Sequence, residues 1–258
     1  MRPQPYIGIT GFMSGDEVDK VLDALPEDTD RLVMVGGLVS SKTLRHEPNK
    51  WPQRYPSPDK LCKIFRGYPN LLNLIHFNTK EPENLYDDMC LAQDLAGPNC
   101  HGFQLNIAWP DKRVLERYKK YALFHHKTIV LQCGGNALRE VGSPFNLGLR
   151  LRDYEGLVDY VLVDPSGGLG KEFDPGYAHA AFYYIEKNAP NPSSIGLGIA
   201  GGLHAGNLDC LRKLMPEFEF SIDAEGKLRD KDGHLDIAAA QAYLKAADAL
   251  YREHKKAA

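Results

Sequence analysis

The chain has 258 residues, of which 43% are hydrophobic and 25% are charged. This balance is typical of a globular protein and excludes a disordered or collagen-like chain. The formal net charge of -3 gives no drive toward nucleic acid or an anionic membrane surface, so we expect neither as a partner.

The cysteines and the hydropathy of the sequence further limit the class of protein. The five cysteines are odd in number, widely spaced and without a C-x-x-C pair, so we expect neither a disulfide framework nor a structural zinc site. No run of about 18 apolar residues occurs, so no membrane span is expected. The opening residues lack the apolar stretch of a secretory signal, and the expected location is the cytoplasm.

Short β-rich runs alternate with helical patterns along the whole chain. Most of the runs are apolar on consecutive residues, which is typical of strands covered on both faces. The predicted strands are 6–10, 31–35, 71–76, 102–106, 128–132, 160–164, 195–199 and 219–222. The predicted helices are 16–25, 57–65, 83–95, 112–124, 177–187, 207–215 and 235–254.

Eight strands alternating with helices in about 250 residues favour a closed (β/α)8 barrel, the TIM barrel, as a single α/β domain. The domain is expected to cover residues 1–258. An open doubly wound sheet is the alternative architecture. The turn after the first strand, Gly8-Ile9-Thr10-Gly11, lacks the G-x-G-x-x-G form of a dinucleotide site, and this favours the barrel.

The segment 36–57 between the second strand and the next helix is long and polar, with three prolines between residues 40 and 56. We interpret it as an insertion in the loop after the second strand. In a barrel this loop lies on the C-terminal face, where active sites form. Loops of this length are lids or binding loops, or they are surface excursions without function, and both alternatives stay open.

The strongest chemical signal runs from the sixth to the eighth strand. Asp164 ends the sixth strand, where barrel enzymes place acids and bases; a turn or cap before Pro165 is the alternative role. Glycine-rich turns follow, and their backbone N–H groups can approach an anion closely. The candidate phosphate-binding residues are Gly168, Gly170, Gly201, Gly202, Leu203, Ala224, Glu225 and Gly226.

Four motifs occur in a fixed order. Residues 5–10 read P-Y-I-G-I-T, residues 103–106 read F-Q-L-N, residues 162–174 read L-V-D-P-S-G-G-L-G-K-E-F-D, and residues 199–207 read I-A-G-G-L-H-A-G-N. This set resembles the phosphoribosylanthranilate isomerases, whose corresponding segments read K-I-C-G-I-T, Q-L-H-G, L-L-D with G-G-T-G-K-x-F-D, and L-A-G-G-L-x-x-x-N. The resemblance is most specific around the sixth and seventh strands.

The resemblance implies a phosphate-binding barrel and an acid/base isomerisation, the Amadori rearrangement. The family's general acid, an aspartate on strand six, corresponds to Asp164. Its general base, a cysteine on strand one, corresponds to Ile7, whose side chain cannot accept or release a proton. Another residue must therefore supply the base. An arginine after strand two meets the substrate's carboxylate in the family, and Lys42 or Arg45 are the candidates here.

Polar residues at other strand ends complete the candidate site. His76 and Asp223 are candidates for the missing base, with a hydrogen-bonded structural role as the alternative for His76. Gln104, Asn106 and Gln132 are candidates for ligand binding, although strand alternation turns only some of them toward the mouth. No H-x-D or H-x-H occurs on the second strand, and neither a metal nor another cofactor is expected.

Three functions stay open. The favoured one is an isomerase-like enzyme that acts on a phosphoribosyl or related sugar-phosphate ligand. The alternatives are a non-catalytic barrel that binds phosphorylated metabolites and a metal-assisted sugar-phosphate epimerase or aldolase-like enzyme. The expected partner is a small phosphorylated molecule, and the expected assembly is a monomer or a homodimer.

Overall fold

Eight parallel strands pair in chain order and close into a barrel, because the eighth strand pairs with the first as well as with the seventh. The computed structural model describes residues 2–26, 29, 31–121, 127–166 and 173–257. The predicted TIM barrel is confirmed. The strands are β1 (Tyr6–Thr10), β2 (Leu32–Ser40), β3 (Leu71–Asn78), β4 (Gly102–Leu105), β5 (Thr128–Cys133), β6 (Tyr160–Val163), β7 (Gly196–Ala200) and β8 (Phe220–Ala224).

Helices cover the outside of the barrel. The α-helices within the described residues are α1 (Gly15–Leu22), α2 (Ser41–Leu44), α3 (Leu61–Ile64), α4 (Leu85–Ala96), α5 (Lys112–Tyr121), α6 (Gly135–Val141), α7 (Pro144–Arg150), α8 (Pro175–Asn188) and α9 (Ile237–Ala257). Their starts follow local chemistry. The Ser14 side chain accepts from the Glu17 N–H at 3.3 Å to cap α1, and Asp174 caps α8 ahead of Pro175.

Two apolar layers hold the barrel together. One lies between strands and helices, and Ile7 belongs to it. The other fills the barrel interior, where the rings of Tyr6 and Tyr160 meet edge to face at 5.3 Å. Side chains alternate between the two faces along each strand. The inward-facing residues that lie beyond this inner layer, at the C-terminal ends of the strands, therefore form the mouth of the barrel.

The second strand is longer than predicted. It continues through Gly36–Val39 to Ser40, pairs with β3 along this whole length, and leads directly into α2. Ser40 and Thr43 form a capping box there. The prediction that 36–57 is a loop is therefore wrong for residues 36–44, and the irregular part of the segment is 45–57. Gly36 fits because a Cβ at this position would lie 2.6 Å from Thr10 Oγ1.

Two further helix predictions need correction, and two helices were not predicted. The helix predicted at 207–215 is a 3-10 helix, Leu208–Lys213. Most of the helix predicted at 57–65 is divided between a 3-10 turn, Pro58–Lys60, and α3. Helices α6 and α7, between β5 and β6, were not predicted. The predicted end of the helix at 112–124 lies outside the described residues.

Candidate active site

A layer of polar side chains closes the inner apolar cluster at the barrel mouth. Six of them come from six different strands or from the residue directly after one, and hydrogen bonds join them into one network. All six are almost fully buried. They are Thr10, His76, Gln104, Gln132, Asp164 and Asp223.

Asp164 is held by three donors. Its Oδ1 accepts from the Ser166 backbone N–H at 3.1 Å and from Ser166 Oγ at 2.6 Å. Its Oδ2 accepts from Gln132 Nε2 at 3.0 Å. Such donors fix the orientation of a carboxylate and leave its remaining lone pairs for a ligand. Asp164 is thereby fixed at the cavity wall.

Asp223 is the more deeply placed carboxyl. It accepts from Gln104 Nε2 at 2.9 Å and from Thr10 Oγ1 at 3.2 Å. Burial, with a smaller contribution from the charges of Glu225 and Asp164, raises the pKa of Asp223 to about 7, against the lowering effect of the hydrogen bond from Gln104. A carboxyl with this pKa gains and loses a proton near neutrality, as a general acid or base must.

His76 lies between these groups and the cavity. Its Nδ1 is 3.3 Å from Gln104 Nε2, and its ring lines the cavity. Burial lowers the pKa of His76 below the ordinary value, which outweighs the raising effect of the charges of Glu225 and Asp164. The ring is therefore neutral at neutral pH.

A cavity of about 410 Å³ opens above this network. Its wall offers amides, a hydroxyl, carboxyl groups and a guanidinium, a set that suits a hydroxylated, anionic small molecule. Arg139, on α6, donates to the Asn136 side chain. The polar lining residues are His76, Asn106, Gln132, Asn136, Arg139, Asp164, Ser166 and Glu225.

The irregular segment 45–57 lies across the mouth. Its Tyr55 hydroxyl accepts from Asn78 Nδ2 at 2.8 Å, at the end of β3. Its Arg54 guanidinium lies 3.4 Å from Glu225, directly after β8. The segment thus bridges the ends of β3 and β8, between which β1 and β2 lie in the ring, and it brings the Arg54 cation to the mouth.

A second arginine, Arg229, contacts the same region at the end of β1. The Arg229 guanidinium is almost fully buried and donates to the backbone oxygens of Thr10 at 2.6 Å and Gly11 at 3.1 Å. It lies 3.8 Å from the Glu225 carboxylate. Glu225 therefore faces both Arg54 and Arg229.

The turn after β7 lies against Asp164. Gly201 and Gly202 have φ values of +111° and +68°, which L side chains rarely adopt. A Cβ on Gly201 would lie 3.1 Å from Asp164 Oδ1. The Leu203 side chain is buried, so only its backbone can meet a ligand.

The other predicted phosphate-binding residues have different surroundings. Ala224 ends β8 and is buried, Gly226 is exposed, and the Glu225 side chain pairs with Arg54. Gly168 and Gly170 lie outside the described residues.

The two predicted carboxylate-binding residues are not brought to the cavity. Lys42 is exposed on α2. Arg45 is exposed and pairs with Glu47 at 3.1 Å and Glu81 at 2.8 Å. Neither residue lines the cavity, because both side chains are exposed to solvent.

Several residues at the mouth were missed in the sequence. Alternation along β1 would have indicated Thr10, and the short spacing to Asp164 would have indicated Ser166. Arg54, Arg139 and Arg229 carry no local signal, because contacts between distant segments place them.

The described part of the chain shows neither a transmembrane helix nor a metal cluster. No described helix is long and apolar enough to cross a membrane. Among the described residues, no three His, Cys, Asp or Glu side chains are grouped as metal ligands.

No family model matches the chain, and no curated protein matches it in sequence. Solved structures match it over nearly its whole length. The phosphoribosylanthranilate isomerase from Thermus thermophilus has a TM-score of 0.63 and 14% identity, covering 97% of this chain and 100% of that chain. The dimeric enzyme from Thermotoga maritima, in a form generated as monomers, has a TM-score of 0.57 and 18% identity, covering 95% and 99%.

A third structure carries a ligand. It is a phosphoribosylanthranilate isomerase in complex with reduced 1-(o-carboxyphenylamino)-1-deoxyribulose 5-phosphate, with a TM-score of 0.58 and 15% identity over 95% of this chain and 99% of that chain. Identities at this level show a shared fold. The resemblance seen in the sequence motifs is thus confirmed in structure: this chain folds as the phosphoribosylanthranilate isomerases do.

Proposed function

We propose that this protein is an enzyme that isomerises a phosphoribosyl or related sugar-phosphate ligand by acid/base catalysis. One observation carries the proposal. Asp164, at the cavity wall, is linked through Gln132 and Gln104 to Asp223, whose pKa of about 7 suits proton transfer at neutral pH. A mouth that only bound a ligand would need no such pair of carboxyl groups in different environments.

The roles follow from position. Asp164 is the group that exchanges a proton with the ligand, since it lines the cavity and Ser166 and Gln132 orient it. Asp223 and His76 are the candidates for the second proton-transfer group, in place of the residue that Ile7 replaces. Backbone N–H groups of Gly201, Gly202 and Leu203 would hold the phosphate at the adjacent turn.

The ligand class follows from the cavity wall and from the fold. Amides and a hydroxyl suit sugar hydroxyl groups, and Arg139 suits an anionic group. The chain shares its fold with the phosphoribosylanthranilate isomerases, and one of these structures contains a deoxyribulose 5-phosphate derivative. A cytoplasmic monomer or homodimer is the state in which we expect the enzyme to act.

One observation favours a second candidate, a non-catalytic barrel that binds phosphorylated metabolites. On β1 the position of the family's base is Ile7, and its side chain is buried in the layer between strands and helices. Thr10, the β1 residue in the polar network, has no group that titrates near neutrality.

Thermal denaturation with phosphorylated compounds tests the proposal. The set comprises ribose 5-phosphate, ribulose 5-phosphate, phosphoribosyl amines and, as controls, ribose and inorganic phosphate. A compound at about 100 times its Kd stabilises the protein by about 2.7 kcal/mol. Stabilisation by a phosphorylated sugar, followed by its turnover, supports the enzyme; stabilisation without turnover supports the binding protein. Response to none of the set contradicts both.

A further inference from the structure

The Gln104 amide nitrogen has more acceptors than hydrogens. Nε2 lies 2.9 Å from Asp223 Oδ2, 3.0 Å from Gln132 Oε1 and 3.3 Å from His76 Nδ1. An amide NH2 carries two hydrogens, so it satisfies at most two of these three acceptors at one time. Gln104 is fully buried, and water cannot readily replace the missing hydrogen.

The protonation state of Asp223 determines which of the three acceptors receives no hydrogen from Gln104. When Asp223 is ionised it is an acceptor only, and a charged acceptor forms the stronger bond. The two hydrogens of Gln104 then go to Asp223 and Gln132, the two shorter contacts, and His76 Nδ1 receives none. When Asp223 is protonated on Oδ2, that oxygen becomes a neutral and weaker acceptor, and its hydroxyl can donate to Thr10 Oγ1, 3.4 Å away. One hydrogen of Gln104 is then released to His76.

We propose that Gln104 is a positioning residue that links the protonation of Asp223 to the tautomer of His76, and so sets the proton positions at the cavity. This inference rests on the proposed function. A hydrogen donated to Nδ1 places the ring proton of neutral His76 on Nε2. Gln132 stays bound to Gln104 in both states, so its Nε2 keeps pointing at Asp164 Oδ2.

Several charged and titratable groups face Asp223 and contribute to its titration. Glu225 and Asp164 raise the pKa of Asp223 through their negative charges. The hydroxyl groups of Tyr6, inside the barrel, and Tyr243, on α9, are buried, and the charge of Asp223 acts on both. Since burial lowers the pKa of His76, its ring gains a second proton only at lower pH, and the tautomer change is separable from that step.

Nuclear magnetic resonance of the unliganded protein tests this link. The carbon-13 shift of the Asp223 carboxyl gives its midpoint, and the nitrogen-15 shifts of the His76 ring report the tautomer. We expect the Nε2–H form to increase as the pH falls through the Asp223 midpoint. In Gln104→Met this step should be lost, and the Asp223 midpoint should rise by about one pH unit because a donor to its charged form is gone.

Two further variants keep the test decisive. Gln93→Met makes the same change at a buried glutamine of α4, which contacts Tyr118 and Cys100, and should leave the Asp223 midpoint in place. Asp223→Asn removes the titration, so the His76 tautomer should stop changing with pH even if Gln104→Met does not fold. A His76 tautomer that does not follow Asp223 in the wild type, or still follows it in Gln104→Met, overturns the inference.

The outcome separates this inference from the proposed function, because the measurement needs no substrate. The link without turnover would leave Gln104 as a positioning residue in a binding protein. Turnover without the link would support the enzyme and remove Gln104 from this role.

Discussion

Gln132 Nε2 donates to Asp164 Oδ2 across 3.0 Å, and Gln132 Oε1 accepts from Gln104 in the opposite direction. The Gln132 amide can take only one orientation between these partners. Asp164 is therefore held as an acceptor, with its Oδ1 occupied by Ser166. This relationship makes the charge of Asp164 the feature to test first.

Asp164→Asn should lower turnover of a phosphorylated sugar by about 100-fold or more, because a positioned acid or base contributes 10²- to 10⁴-fold. The shape of the side chain is kept, so phosphate-dependent stabilisation should persist. Steady-state rates and thermal denaturation of the same preparation measure both. Asp209→Asn, at an exposed aspartate paired with Arg212, is the matched control and should change neither. Unchanged turnover in Asp164→Asn would remove Asp164 from the mechanism.

Asp223 should make the protein less stable as the pH rises. Its pKa is about 7 in the folded protein against an ordinary value of 3.8, so the folded state binds the proton more tightly. The stabilisation is complete below about pH 4 and is lost as the pH rises to about 7. At about 1.4 kcal/mol per pH unit, the free energy of unfolding falls by on the order of 4 kcal/mol across this pH range.

The comparison of wild type with Asp223→Asn isolates this effect from other carboxylates. Urea denaturation between pH 4 and pH 8 should show the free energy of unfolding of the wild type falling relative to that of the variant. Parallel curves across this range would show that Asp223 is ionised throughout, and would contradict its placement as a group that titrates near neutrality.

Gly201→Ala should destabilise the protein by about 1–3 kcal/mol, since φ of +111° is strained for any L side chain. The new Cβ would also press on Asp164 Oδ1 and Ser166 at 3.1 Å. Gly226→Ala is the matched control in the other predicted phosphate turn, because nothing lies within 4 Å of a Cβ there. Denaturant midpoints compare the two. Equal stability of the two variants would contradict the geometry of the β7 turn.

Arg54→Ala should loosen the segment 45–57 at the mouth. The Arg54–Glu225 pair is partly exposed, so its loss should cost at most about 1 kcal/mol globally. The local effect should be larger, with faster chymotrypsin cleavage at Trp51 and Tyr55. Arg45→Ala breaks exposed ion pairs in the same segment and should leave cleavage unchanged. Equal cleavage of both variants would show that Arg54 does not hold the segment.

The barrel was predictable because most strands are separate, short apolar runs. The C-terminal end of β2 was not, because Gly36 and Gly37 interrupt the apolar run after residue 35. In the structure both glycines continue the strand: a Cβ on Gly36 would lie 2.6 Å from Thr10 Oγ1 of β1, and a Cβ on Gly37 would lie 3.4 Å from the Phe65 ring. Glycine occurs both in turns and in strands where another backbone approaches closely, and the sequence alone does not distinguish the two.

The candidate site was predictable where residues sit at strand ends. Asp164, Asp223, His76, Gln104 and Gln132 meet at one mouth because parallel strands place their C-terminal ends together. The contribution of Arg54 and Arg229 was not predictable. Arg54 and Glu225 are 171 residues apart in the chain, and the contact of Arg229 with Glu225 depends on the path of the loop after β8. Neither contact leaves a periodic pattern in the sequence.

Deuterium exchange in D2O tests the central claim most directly. Acid/base isomerisation moves a proton at the carbon next to the carbonyl or imine, and that proton passes through a group that exchanges with solvent. We predict that the wild type introduces deuterium into a phosphorylated sugar that stabilises it, and that Asp164→Asn binds the same compound but exchanges at least about 100-fold more slowly. Equal exchange rates in the two proteins, or no exchange with any compound that binds, would contradict the account.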